Sequence, residues 1–160
     1  MSATTFNLHE LEFNRIQAIL SKMQRELKAE VVLLISRSGQ PIVVSGSTAN
    51  IDYTALSSLA AANLAATDGL ANIIGEREFS VLVHQGRRRS LFISDLLKRF
   101  SLVLVFDATA SSGLVRYKCK HTILLLEDVI RDFQRRIEKT EPVRDVPQFS
   151  DAELEELLGE

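Results

Sequence analysis

Apolar residues recur every three or four positions over residues 8–28, at Phe13, Ile16, Leu20, Met23 and Leu27, while Glu10, Arg15, Lys22 and Arg25 fall between them. That spacing predicts an amphipathic helix with one stripe turned inward. Asn7 can cap it, Glu10 can reach back to the cap, and Phe6 can staple against Leu11. Two runs of β-branched and apolar residues follow, VVLLIS (31–36) and PIVVS (41–45), separated by Ser38 and Gly39. They read as a hairpin, with Pro41 confined to a strand start or an edge because it cannot donate to a ladder.

The stretch TALSSLAAANLAATDGLANIIGE (54–76) has helical spacing on more than one side. Asp52 is its predicted cap, Ile51 and Leu56 form the staple, Tyr53 begins the helix and Gly75 lies where a left-handed stop is common. One stripe carries Leu56, Leu59, Leu70, Ile73 and Ile74, the side chains large enough to fill a core. Another carries Ser57, Ala61, Ala65, Gly69 and Asn72, so it is nearly bare. Small residues let backbones approach within one chain. They also make a flat platform for another protein or for a second copy. Both uses can hold on different edges of one helix.

Three further strands are expected, FSVLVHQ (79–85), SLFISDL (90–96) and FSLVLVFD (100–107), of which the last is apolar enough for a central place buried on both faces. A third helix, 112–139, places Val115, Cys119, Ile123, Leu126, Ile130, Phe133 and Ile137 on one face and Arg116, Lys120, Arg131, Arg135 and Lys139 away from it. The predicted domain ends near Thr140. Residues 141–149 contain two prolines and read as an extended linker. Residues 150–160 read as a short acidic amphipathic helix, with Ser150 as cap, Glu153 as its partner, and Phe149, Leu154, Leu157 and Leu158 as its apolar side. Such a helix is too short to be stable alone.

Composition then narrows the function. A chain of 160 residues, 46% hydrophobic and 25% charged, suits a single domain with one core. Its 19 Lys and Arg against 21 Asp and Glu leave no basic field for a phosphate backbone, which argues against nucleic acid. No apolar run approaches the roughly 18–20 residues of a membrane span, and the start lacks signal-peptide character, so a cytoplasmic location is expected. The single Cys119 reads as core, because no second thiol is present for a disulfide or metal site. The three histidines, His9, His84 and His121, are scattered. No nucleophile and base stand together, and Cys119 and His121 point about 200° apart on their helix. No phosphate-cradling glycine loop occurs, so no cofactor, metal or enzymatic activity of its own is expected. Asp95 and Asp107 read as turn formers, and Arg87, Arg88 and Arg89 as a charged hairpin turn rather than an arginine finger.

The words IDYTALSSLAAANLAATDGLANIIGE (51–76), VHQG (83–86) and SLVLVFDATASSGLVRYKCK (101–120), in this order of elements, resemble the Roadblock/LC7 (dynein light-chain) family, and within it the bacterial MglB type. The resemblance covers about Leu8 to Lys139. It implies an α+β sandwich of order α-β-β-α-β-β-β-α, with a five-stranded antiparallel sheet, the second helix on one face and the other two opposite. It also implies a homodimer whose third strands, containing Val81 and Val83, pair across a twofold axis and bring the second helices side by side. A small Ras-like GTPase of the MglA type would sit there, one per dimer, in contact with Ala61, Ala65, Asp68, Gly69 and Asn72. The implied role is that of a GTPase activator that reorganises its partner's active site without inserting an arginine, in a cell polarity or motility system, with concentration at a cell pole. The tail is implied to reach the GTPase away from the platform.

Two other readings compete. A Roadblock scaffold that tethers a GTPase without activating it predicts the same dimer and differs in phosphate release. A small-molecule sensor on a PAS- or profilin-like sheet needs convergent polar groups inside the sheet face, where the strands carry mostly Val, Leu, Ile and Phe.

Overall fold

A computed structural model describes residues 9–140. Its elements are α1 (Glu10–Leu27), β1 (Val31–Ser36), β2 (Pro41–Gly46), α2 (Tyr53–Ile74), β3 (Val81–Gln85), β4 (Arg89–Leu96), β5 (Phe100–Asp107) and α3 (Ser112–Thr140). α1 begins later than expected: His9, not Asn7, stands at its cap position and makes no side-chain bond to the helix. Phe6, the linker 141–149, and the tail with Phe149, Leu154, Leu157 and Leu158 lie outside the described residues.

The strands form one five-stranded antiparallel sheet in the order β2-β1-β5-β4-β3. β5 holds the centre, between β1 and β4, as its unbroken apolar run demands. Leu102, Leu104 and Phe106 project into the cluster shared with α1 and α3, while Val103 and Val105 project into the cluster shared with α2. Pro41 opens edge strand β2, where its missing N–H is tolerated. β3 is shorter than the run 79–85 suggests. Its ladder with β4 begins at Val81↔Ser94, and Ser94 Oγ donates to the Ser80 carbonyl at 2.9 Å, so a side chain replaces the next ladder bond.

α1 and α3 cover one face with large side chains, among them Ile16, Leu20, Met23, Leu126, Ile130 and Phe133, all buried. Cys119 is in that core, as expected. The α1 stripe differs at its first turn: Phe13 is 39% exposed, and Glu12 is 1% exposed in its place. A buried carboxylate requires a partner. Arg136, near the far end of α3, supplies it at 2.5 Å. Local periodicity carries no record of a pairing between such distant residues.

Among the described residues, α2 covers the other face alone. Its ends follow the expected chemistry: Asp52 accepts from the Ala55 N–H at 3.0 Å, and Gly75 stops the helix with φ 80°. No helix among the described residues is long and apolar enough to cross a membrane.

Candidate functional site: a helix flank and an open sheet edge

The face that α2 turns to the sheet consists of Ser57, Ala60, Leu64, Thr67 and Ala71. Only Leu64 among them is a large aliphatic. The sheet beneath presents Val31, Leu33, Ile35, Ile93, Val103 and Val105, so the strands fill the space between the layers and the helix must bring small residues to lie close. Gly39, in the β1–β2 turn, marks how close. A Cβ there would stand 2.8 Å from the Ser58 Cα and 3.3 Å from the Ala61 Cβ, and its φ is +89°. Small residues on α2 therefore do serve packing within the chain.

The large stripe stands elsewhere. Leu59, Leu70, Ile73 and Ile74 are 69%, 58%, 82% and 66% exposed, and only Leu56 of that stripe packs against the core. This reverses the expectation that they fill it. The reason is that α2 has no polar face to mark the outside: Ala55, Ala62 and Ala66 are exposed too, and Asp68 is its only charged residue. With hydrophobic residues all round, hydropathy cannot choose the buried side. The size of the sheet's side chains chooses it.

The outer surface has two flanks. Towards β3, Asn63 Nδ2 lies 3.2 Å from His84 Nε2, which ties the Leu59, Leu70 and Ile74 side of α2 to the end of that strand. β3 is the last strand of the sheet, so its outer N–H and C=O groups face away from β4. Val81 and Val83 are half-buried and lean towards the α1–α3 core, while Leu82 leans towards α2. An exposed apolar helix flank thus continues into an open strand edge, a combination that soluble chains cover or blunt.

Towards the β1–β2 hairpin lies the small flank. Ala61 is half-buried against Gly39, whereas Ala65, Gly69 and Asn72 are exposed, and a Cβ added to Gly69 would meet nothing within 4 Å. Asp68 belongs to this flank but is not a loose charge. Arg37, from the β1–β2 turn, forms ion pairs with both Asp68 and Asp95. The structure therefore brings Ala65, Gly69 and Asn72 together as an accessible strip, with Asp68 ion-paired at its border.

Among the described residues, the candidate reactive groups stand apart from this surface. Cys119 is fully buried and its thiol is pushed up to about 12 by desolvation, so it is not a nucleophile at neutral pH. Among the described residues no group of three or more His, Cys, Asp and Glu is placed to hold a metal. Of the arginine run, Arg89 pairs with Glu30 at 2.8 Å, and Arg87 and Arg88 are exposed around the tight Gly86 turn. Asp107 is a turn former as expected. Its carboxylate accepts from the Thr109 hydroxyl and N–H, and those bonds hold its pKa below the usual range.

The chain matches the Roadblock/LC7 domain over residues 15–106. It is similar to MglB of Myxococcus xanthus, with 39% identity over 78% of this chain and 94% of that one, at a TM-score of 0.74. It is also similar to the gliding protein MglB of Thermus thermophilus, with 32% identity, coverage of 78% and 95%, and a TM-score of 0.73. A Schizosaccharomyces pombe profilin shares the fold alone, at 14% identity, coverage of 71% and 97%, and a TM-score of 0.53. No curated protein matches the chain.

Proposed function

Because this chain belongs to the Roadblock/LC7 family, with MglB proteins among its similar structures, we propose that it is a homodimeric regulator of a small Ras-like GTPase. The regulator is a GTPase-activating protein of the MglB type, acting on an MglA-type partner in a polarity or motility system in the cytoplasm, concentrated at a cell pole. One observation carries this reading: α2 exposes large apolar residues on the flank beside the open β3 edge and small ones on the other flank.

The two flanks suit two partners. Pairing of β3 with its copy would satisfy the free strand edge and place the two α2 helices side by side. Leu59, Leu70, Ile73 and Ile74 would then leave water, each contributing about 1–2 kcal/mol. The strip Ala65, Gly69 and Asn72, bordered by Ala61 and Asp68, stays open on both protomers. One GTPase across the twofold can rest on the two strips, because short side chains allow its backbone to come near.

That strip has no group able to join phosphoryl transfer, so all catalytic groups would come from the GTPase. Activation then means stabilising the GTPase conformation in which its own arginine and glutamine reach the γ-phosphate and water. If that conformation is otherwise about 1% populated, holding it accelerates hydrolysis up to about 100-fold.

Single-turnover phosphate release from an MglA-type GTPase, with the wild-type chain and with Ala65→Arg, tests the reading. Arg is nearly as good a helix former as Ala, so the variant keeps its fold while blocking the strip. Acceleration by the wild type that the variant lacks supports the activator. Binding without acceleration replaces it with a tethering scaffold.

A further inference from the structure

On the α1–α3 side of the sheet, α3 does not close down on the β3–β4 edge, and a groove of about 600 Å³ runs between them. Its apolar lining is Val81, Phe92, Leu97, Ile123 and Leu124, with Leu124 still 53% exposed. The acids along the groove already have cations: Glu78 pairs with Lys98, Asp95 with Arg37, and Glu127 with Arg131 at 3.5 Å. Arg116 and Lys120 also line it, one turn apart on α3 and exposed, and neither has an ion-pair partner among the described residues. The groove is therefore an apolar trough whose α3 wall carries two uncompensated positive charges.

We propose that this groove is the docking site of the chain's own acidic C-terminal segment, residues 150–160, folded back antiparallel to α3. Charge and apolar pattern both match. The segment contains Asp151, Glu153, Glu155, Glu156 and Glu160 and no Lys or Arg. Leu154, Leu157 and Leu158 follow at steps of three and one, so a helix there has one apolar side for Ile123, Leu124 and Val81, and acids beside it for Arg116 and Lys120.

Length matches as well. The described part of α3 runs to Thr140, and Pro142 disfavours a straight continuation. From Thr140 back to Glu127 along the helix is about 20 Å. Residues 141–149, extended, reach up to about 30 Å. A helix over 150–158 is then about 14 Å long, close to the roughly 17 Å between Glu127 and Arg116. The tether holds the segment at high effective concentration beside the groove, which makes a contact too weak between separate molecules sufficient within one. This inference does not depend on the GTPase reading. If both hold, a docked tail is withheld from the GTPase until something displaces it.

The test uses the full chain, isotopically labelled, with a nitroxide on Gly159→Cys. Buried Cys119 stays unmodified. The expected result is paramagnetic loss of amide signal at Arg116, Lys120 and Leu124 in low salt. Reversing both exposed cations, Arg116→Glu with Lys120→Glu, should lower the docked population about tenfold, as should about 0.5 M salt. Unchanged α3 amides, or broadening confined to α2 and the β1–β2 turn, would overturn the proposal. So would broadening that survives the double reversal. Signal loss seen only when labelled and spin-labelled chains are mixed would assign the groove to the tail of a second copy instead.

Discussion

The two faces of the sheet are covered in opposite ways. On one, α1 and α3 bring Ile16, Leu20, Met23, Leu126 and Phe133 inward and bury them. On the other, α2 lies alone, turns Ser57, Ala60 and Ala71 inward, and leaves Leu59, Leu70 and Ile73 in water. Both helix layers are rich in apolar residues, yet only the first uses its largest ones to fold the chain. The second leaves them outside the fold. A face can therefore be fully packed and still unfinished as a surface.

The sharpest way to break this comparison is to truncate one large side chain on each side. Phe133→Ala, in the two-helix core, should cost about 3–5 kcal/mol of unfolding free energy in urea titrations. Ile73→Ala, 82% exposed, should leave the unfolding of the protomer itself nearly unchanged. A large loss at Ile73 that does not depend on protein concentration would mean that α2 packs differently.

Leu70→Asp combined with Ile73→Asp should weaken self-association at least about 100-fold in analytical ultracentrifugation, while the far-ultraviolet circular dichroism stays that of the wild type. Gly39→Ala probes the close approach beneath α2. The required φ of +89° and the 2.8 Å approach to Ser58 should lower stability by about 1–3 kcal/mol. Near neutral pH the smallest effect is at Cys119. Its folded pKa is raised from 9.0 to about 12, so the thiol's contribution to stability is complete below 9 and is lost as pH climbs between those values. Iodoacetamide at pH 8 should accordingly leave the native chain unmodified and label it only in denaturant.

The same contrast explains what could be read from the sequence. The strands, the central place of β5, the Asp52 cap and the Gly75 stop were legible because each rests on short-range chemistry or a plain period. In α3, Val115, Cys119, Leu126, Ile130 and Phe133 were legible for the same reason: a polar side labels the outside. α2 offered no such label. Its inward face was set by side chains on β1, β4 and β5, which α2's own spacing cannot record. Glu12 failed similarly, since Arg136 lies at the other end of the domain. Of the residues expected to form a platform, Ala65, Gly69 and Asn72 are exposed while Ala61 and Asp68 are half-buried, and the larger apolar residues of α2, which the spacing suggested could fill a core, stand exposed instead.

The open edge of β3 carries one more consequence. Backbone N–H and C=O groups are the same in every protein, so a five-residue edge can add a strand from any chain that presents a matching length. Under the proposed pairing, discrimination between self and a sister chain in the same cell must come from the side chains flanking that seam, such as Val81, Val83 and the Leu59 and Leu70 overhang. If the proposed pairing holds, drift at these few positions would be enough to split one self-pairing lineage into two that ignore each other, or to fuse two into a mixed pair, with the fold untouched.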